Sequence, residues 1–460
     1  MFDHLGDEGI RPKCPVRIGT DSYIVPSPDK RELVFAIPFI ISRDILQETG
    51  LPQPSSAGAV HAIIERIKKE SCHCPGLAPL SGTSIHNTSK YASFSEPCTI
   101  AFSSSRIATH LWRPDDLNHV VPGGIEFLLR GFVPYMPPNN SNVPYLLETI
   151  NKYADTVSSI TFSLSSRILE HGWRAVWDQQ DLRNRLQALG LVCFIGDQTR
   201  PARAITHERC WYRVAGPKHG VHIPFSCPEE LEPVQITLAG SGESITGLGI
   251  KTKEIFAITG ANAEGKTSLL EAIMSGEDDH ATGDGREHLV TAPGISHVDA
   301  TNLEVRGADI SRFFSSIPPG MSGTPCAVTG RGSGSVSMAF RIQEAIRKEQ
   351  SLIVIDEDCT AMNLLIPCYC GTEAVQPLSS LIAGDRKWLG DTSIVVAGSA
   401  MEMLIARCDR ILKLDGHRVT GISPDVYRQA LSGFYRQMSE DLIMEKVDPC
   451  RKNPDEPETG

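Results

Sequence analysis

The sequence predicts an α/β fold: a domain on a mostly parallel sheet, with a separate mixed α/β region before it and one long helix after it. Three observations predict this. Ile255–Leu270, IFAITGANAEGKTSLL, passes from an apolar run through a glycine-rich turn into a helical pattern. Leu352–Ile355 and Ser393–Ala397 are apolar runs of the kind that fill buried parallel strands, and each ends in a short polar or small-residue turn. Ser423-Pro424-Asp425 opens a helix, with an N-cap residue and then proline in the first turn.

In the first element, Gly260-Ala-Asn-Ala-Glu-Gly265-Lys266-Thr267 matches the phosphate-binding loop at every fixed position. The chemistry explains the spacing. Phosphate oxygens need a closely approaching backbone, which glycine permits. The free N–H groups at the helix start then point at the anion, and the helix dipole favours it. Gly260, Asn262, Gly265, Lys266, Thr267 and Ser268 are therefore the candidate contacts of ATP. Lys266 is placed to reach the β- and γ-phosphates, and Thr267 to bind Mg²⁺. The plainer reading is a glycine-rich turn that binds nothing.

The second element ends in Asp356-Glu357-Asp358. An acid at the end of a buried strand can hold the Mg²⁺ water shell, and this falls to Asp356. Glu357 is then the candidate catalytic residue, placed to orient or deprotonate water. A small-molecule phosphotransferase, which must exclude water, has less use for it. The alternative is a pair of solvated strand-end acids.

Upstream of that strand, Ser333-Gly334-Ser335 precedes a helix predicted over Met338–Glu349, whose apolar face is Met338, Ala339, Ile342, Ala345 and Ile346. Such a turn is either a flexible linker or a second anion site. One chain does not need two phosphate sites for one ATP, whereas two facing chains do. After the third element, Gly398-Ser399-Ala400 either lets Ser399 sense a γ-phosphate or is a plain turn. Arg410–Leu414 and the turn Asp415-Gly416 close the domain.

With 460 residues the chain is too long for one ordinary core. The expected division is an N-terminal domain over 1–220 with loops near 75–97 and 134–144, an ATPase domain over 221–422, a helix over 423–447 and a disordered tail over 448–460. The stripe Val426, Tyr427, Ala430, Leu431, Phe434, Met438 and Leu442 is expected to pack on the domain, with a dimer contact as the alternative.

A net charge of −11 excludes an all-over nucleic-acid-binding surface. Locally, eight basic residues from Arg174 to Lys218 face four acids, interleaved with Trp177, Trp211 and Tyr212 just after Trp173. This is either a single-stranded RNA or DNA groove or, the stronger reading, packed tryptophans and solvated arginines. Thirteen cysteines without disulfide-framework spacing indicate a reducing, cytoplasmic setting. Cys72-His73-Cys74 and Cys368-Tyr-Cys370 lack the paired spacing of a structural zinc site. The sequons at Asn87 and Asn139 would be idle there. The polar start is no leader, and the longest apolar run, Leu33–Ile41, is too short to span a bilayer, so no integral membrane segment is expected.

Taken together, GANAEGKTSLLEAI, HATGDGREHLVT, GADISRFFSSIPPG, GSGSVSMA, LIVIDEDCTAMN and VVAGSA resemble the predicted ATPases of the ABC class, a soluble family distinct from transporter subunits. The GDGRE element matters most, because general ABC proteins lack it; it offers Asp284, Arg286 and Glu287 as charges near the phosphates. The resemblance is strong over about residues 220–420, weaker over Leu182–Ala204 and faint at Asp21–Ser27. Departures are an absent N-terminal stretch, the loss of charged residues around Asn302 and Leu303, and Ile366-Pro-Cys-Tyr-Cys370 in place of a charged segment. The resemblance implies an ABC-type P-loop fold, ATP hydrolysis with Mg²⁺, a homodimer around two sandwiched ATP molecules, a dimer-contact loop at Thr360–Asn363, and RNA as a partner. A hydrolysis-poor, ATP-gated scaffold or nucleic-acid-binding module is the first alternative. A P-loop phosphotransferase is the second.

Overall fold

The structure, a computed structural model, describes residues 23–26, 32–50, 56–70, 73–81, 118–136, 142–205, 212–214, 223–369 and 374–444. Asp21, Ser27, Cys72, Asn87, Asn139, Trp211, Lys218, Cys370 and the tail from Asp448 lie outside the described residues. Cys74 and Cys368 are free thiols. Among the described residues, no helix is long and apolar enough to cross a membrane.

In the N-terminal part, β1 (Tyr23–Pro26), β2 (Glu32–Ile41), β3 (His119–Val121) and β4 (Gly124–Pro134) form an antiparallel sheet in the order β1-β2-β4-β3. The apolar run Leu33–Ile41 is its central strand, paired along its whole length with β4. Helices α1 (Ala57–Glu70), α2 (Asn142–Ser163) and α3 (Ser166–Arg185) bury Ile63, Tyr153 and Leu169 in a core with Phe35 and Phe127 of the sheet. α1 and α3 cross backbone to backbone at Gly58 and Gly172. A Cβ on Gly58 would collide with the Gly172 carbonyl and stand 2.7 Å from the Trp173 Cα.

The second part is built on six strands in the order β12 (Ile295–Val298), β16 (Leu352–Asp356), β17 (Ser393–Ala397), β10 (Ile255–Gly260), β18 (Arg410–Asp415) and β19 (Arg418–Ile422). Every neighbouring pair is parallel except β18–β19. β16 and β17 are buried throughout, as their unbroken apolar runs require. A second, antiparallel sheet has the order β11 (Leu289–Thr291), β5 (Leu191–Gly196), β9 (Ser244–Lys251), β8 (Val234–Thr237). It recruits β5 from upstream of residue 221. Short strands β6 (Arg203–Ile205) and β7 (Tyr212–Val214) form a hairpin. β13 (Glu304–Ala308), β14 (Ser322–Thr324) and β15 (Ala327–Arg331) form a small sheet that leads into the Ser333-Gly334-Ser335 turn, called here the signature turn.

Among the described residues, three helices of ten or more residues follow. α4 (Lys266–Ser275) packs Leu269, Leu270 and Ile273 beneath the sheet. α5 (Gly334–Arg347) buries Met338, Ala339, Ile342 and Ala345, with Ile346 partly buried, which is the predicted face. α6 (Pro424–Met444) corrects an expectation. Tyr427 packs on the core, but Val426, Phe434, Tyr435, Met438 and Leu442 are exposed. Helical period identifies an apolar face without saying what covers it.

The GDGRE element corrects another. Its charges are held by one another rather than by the phosphate loop. Asp284, 5% exposed, accepts from Arg286 Nε at 2.8 Å and Arg203 Nη2 at 2.9 Å, and its Oδ2 lies 3.3 Å from His280 Nδ1. Arg286 reaches Ser275 Oγ at 3.0 Å, at the far end of α4, and Glu287 accepts from the Gly283 amide. The element also ties α3 to the sheet domain. The Gln179 side chain exchanges two hydrogen bonds with the His280 backbone, and Arg183 pairs with Asp279 at 2.7 Å. Burial alone would raise the Asp284 pKa, but Arg286 and Arg203 overcome it and hold the carboxyl well below the ordinary range. Burial, reinforced by Arg286, pushes His280 well below its ordinary value.

Two outcomes follow from this packing. Gly58→Ala forces α1 and α3 apart and should destabilise the chain by about 1–3 kcal/mol in urea unfolding, as overpacking does; a midpoint equal to wild type would show that the crossing is not tight. The ion cluster should make stability pH-dependent. Unfolded, His280 takes up a proton near the ordinary histidine value of 6.5, whereas folded it stays neutral well below that. Its contribution is therefore complete above pH 6.5 and is lost as pH falls. Asp284 adds a second loss below about 3.8, where the unfolded carboxyl protonates first. The melting temperature should fall between pH 7 and 5, and His280→Gln should flatten that decline. A decline unchanged in the variant would remove His280 as its source.

Candidate functional site

The phosphate loop leaves β10 at Gly260, where a Cβ would collide with the Leu414 carbonyl. It re-enters helix at Gly265, which caps α4 in the left-handed region at φ +103. The Lys266 ammonium lies back over the loop, 2.9 Å from the carbonyl oxygens of Gly260 and of Ala261. Asn262 and Thr267 are exposed; Ser268 is half-buried. A buried ion pair fixes the opposite end of these strands, where β10 and β18 begin. Arg410 of β18 forks onto Glu254 at 2.6 and 2.8 Å and donates to the carbonyls of Leu231 and Gly249.

Parallel pairing brings the other candidates to the same edge. β17 lies between β10 and β16; Ala397 pairs with Ile258 on one side and with Asp356 on the other. The strand ends are therefore level. Asp356 is buried at 8% exposure, caps the following turn and accepts weakly from the Asp358 amide at 3.5 Å. The Glu357 carboxylate reaches across to the turn after β17. It accepts from the amides of Ser399 and Ala400, the latter at 3.1 Å, and from the Ser399 hydroxyl at 3.4 Å. Gly398 makes this possible, because a Cβ there would strike the carboxylate and stand 2.8 Å from Glu357 Cβ.

The signature turn lies elsewhere in the chain. Ser333 is exposed and caps α5 through its backbone. Gly334 packs on Ala300, where a Cβ would stand 2.9 Å from both the Ala300 Cβ and its carbonyl oxygen. Ser335 Oγ donates to Asn363 Oδ1 at 2.8 Å, joining the turn to Thr360–Asn363. Among the described residues, no hydrogen bond joins Ser333, Gly334 or Ser335 to the phosphate loop.

Sequence reasoning missed the cleft beside the loop. About 210 Å³ in volume, it is walled by loop residues Glu264 and Gly265, by Pro201 and Arg203, by Phe225, and by His417 of the β18–β19 turn. The His417 amide donates to Glu264 at 2.6 Å and fixes that turn against the loop. The Asp415-Gly416 turn was a visible signal for this wall. The walls at Pro201–Arg203 and Ile223–Phe225 had none, because only folding brings them near the loop.

The basic stretch has its described members engaged. Arg174 pairs with Glu170, Arg183 with Asp279, Arg185 with Asp181 and Arg203 with Asp284. Trp173 is 2% exposed and packs on Trp177 at 4.9 Å.

Comparison with known proteins agrees with this geometry. The family model of the ABC-ATPase P-loop domain matches residues 165–446. An uncharacterized protein of Methanocaldococcus jannaschii is 37% identical over 427 residues, covering 92% of this chain and 93% of that protein. Two solved structures are similar at 14% identity. One is CbiO1 of Clostridium perfringens, part of the ABC transporter complex CbiONQ, with a TM-score of 0.30 over 57% of this chain and 96% of that one. The other is a metal-chelate-type ABC transporter in an inward-facing conformation, with a TM-score of 0.26 over 40% and 76%. The match across most of the chain, and the phosphate loop on a parallel strand beside the Asp356 strand, make this chain a member of the ABC-class ATPase family.

Proposed function

We propose that the chain binds ATP with Mg²⁺ and hydrolyses it within a head-to-tail homodimer that opens and closes with the nucleotide. The observation that carries this reading is the shared edge: the phosphate loop, Asp356, Glu357 and Ser399 end three adjacent parallel strands. The amides at the start of α4 would hold the phosphates, with Gly260 and Gly265 keeping the backbone clear of side chains. Asn262 and Ser268 would add polar contacts at the loop. The Lys266 ammonium would leave its two carbonyl acceptors for the β- and γ-phosphates. Thr267 and Asp356 would hold Mg²⁺, which when bound supplies positive charge to the phosphate oxygens.

Glu357 would take a proton from the attacking water. The Ser399 and Ala400 amides that receive its carboxylate would hold it in place until the γ-phosphate is bound. Ser399 is then both a hold on Glu357 and a candidate γ-phosphate contact. Ser333, Gly334 and Ser335 would complete the partner's site, with Asn363 coupling them to the dimer-contact loop. For single-stranded RNA as a partner, the support is the family resemblance; the ion-paired arginines of α3 do not add to it.

One observation favours a second reading. Glu357 is satisfied within the chain, and the segment after Asn363 departs from the family, so an ATP-gated scaffold with slow turnover is the alternative.

ATP turnover and molar mass in solution, with and without Mg·ATP, separate the two. Glu357→Gln should lower phosphate release by about 10²-fold or more, keep ATP affinity and accumulate as an ATP-bound dimer. Gly398→Ala, which displaces the carboxylate, should lower turnover in the same direction. Wild-type turnover in Glu357→Gln would remove its catalytic role. A wild type that binds ATP, stays monomeric and releases no phosphate would favour the scaffold.

A further inference from the structure

The phosphate loop carries a carboxylate of its own. Glu264 stands between Ala263 and Gly265, and a free negative charge there would repel the phosphates that the loop amides attract. The fold gives this carboxylate a partner on another element. It accepts from the His417 amide at 2.6 Å, and the Glu264 carbonyl oxygen lies 3.3 Å from His417 Nδ1. The Glu264 side chain is 19% exposed, so the contact is largely shielded from water.

The partner is a rigid one. β18 and β19 close on the Asp415–Arg418 pair, leaving Gly416 and His417 as a two-residue turn. φ is +55 at Gly416 and +61 at His417, the pair of left-handed residues whose twist suits a hairpin. Glycine adopts such a φ freely, whereas His417 holds it against the clash of its own Cβ. The hairpin is also anchored at its base. Leu414 pairs with Gly260, whose missing Cβ lets the Leu414 carbonyl pack against the start of the loop. The hairpin therefore meets the phosphate loop twice, at Gly260 and at Glu264.

The loop needs such a hold. Ala263 has φ +64, so the residue just before Glu264 is left-handed without being glycine. Such a conformation persists only where the surroundings impose it. Ala261, Asn262 and Ala263 are all exposed, so side-chain burial does not impose it here. The Lys266 ammonium bridges the Gly260 and Ala261 carbonyls, but it would have to leave them to reach a phosphate. The Glu264–His417 bond requires no such exchange.

Resting on the phosphate-loop reading above, we infer that Glu264 is a positioning residue. Its carboxylate latches the phosphate loop to the β18–β19 turn, which holds Ala263 left-handed and the loop amides in place before nucleotide binds. The same bond occupies a negative charge that would otherwise face the phosphates.

The test combines hydrogen exchange of the loop amides without nucleotide and calorimetric binding of Mg·ATP, both on the full chain. Glu264→Ala removes the acceptor. Glu264→Gln removes the charge but keeps an oxygen for the His417 amide. In Glu264→Ala the amides of residues 261–266 should exchange at least about tenfold faster, with exchange in β16 unchanged, which a general loss of stability would not leave. Its Kd for Mg·ATP should rise by about tenfold, while Glu264→Gln stays within about threefold of wild type in both measurements. Wild-type loop exchange in Glu264→Ala would overturn the inference. So would a Glu264→Gln as impaired as Glu264→Ala, since charge and not the bond would then matter. Tighter ATP binding by Glu264→Ala would reduce Glu264 to a repulsive charge and overturn it too. Wild type that binds no Mg·ATP would overturn the phosphate-loop reading itself, and the positioning role with it, even with the exchange difference intact.

Discussion

The site depends on three parallel strands ending level with one another. Ala397 pairs with both Ile258 and Asp356, so the turns after β10, β17 and β16 open on one edge. Glu357 can then rest on the amides of Ser399 and Ala400. Hydrogen bonds to a charged group are worth about 1.5–3 kcal/mol each. That holds a carboxylate in one orientation, yet it is small enough for a bound phosphate to compete for the same amides. A one-residue slip of β17 would turn Ala397 and its neighbours to the opposite face and move Gly398 away from Glu357. The register therefore sets the chemistry.

A second constraint lies behind the first. Asp284, Arg203, Arg286 and His280 are buried together, and each charge is tolerable only because the others are present. Removing one leaves the rest uncompensated, so the cluster behaves as a unit rather than as separate ion pairs. It touches Ser275 of α4 on one side and the nucleotide-side cleft, through Arg203, on another. The neighbouring pairs Gln179–His280 and Arg183–Asp279 carry it into α3, which crosses α1 at Gly172. A continuous set of side-chain contacts thus runs from the cleft to the N-terminal helices.

These connections explain what the sequence could and could not reveal. The phosphate loop, the Asp356 strand and the apolar face of α5 are local patterns whose geometry follows from a few consecutive residues. The role of the GDGRE element was not legible. Asp284 meets Arg203 across 81 positions, and nothing in composition says that such charges will neutralise one another instead of facing a ligand. The cleft walls at Pro201–Arg203 and Ile223–Phe225 were hidden for the same reason. For the arginine-rich stretch the stronger reading, packed tryptophans and surface arginines, holds for Trp173 and Trp177. The acids and carbonyls that engage Arg174, Arg183 and Arg185 became visible only on neighbouring turns and strands. The stripe on α6 shows the opposite limit: the period was right, but burial is decided by what else is present.

The division of anion sites within one chain carries the last step. The phosphate loop and the signature turn each open a helix, so each presents unpaired amides and the positive end of a dipole. They sit on different parts of the fold, and Ser335 is tied to Asn363 rather than to the loop. Two copies of a chain with a net charge of −11 repel at long range, although salt screens this beyond about 8 Å. Their pairing therefore needs a local attraction stronger than that repulsion. In the proposed homodimer a nucleotide between one copy's loop and the other's Ser333–Ser335 turn would provide it, because two helix N-termini would then share one cluster of negative phosphate oxygens. The nucleotide would then be a structural component of that dimer. In the proposed cycle water attacks the γ-phosphorus, its bond to the bridging oxygen breaks, and departure of the inorganic phosphate would take away the charge that both helices bind.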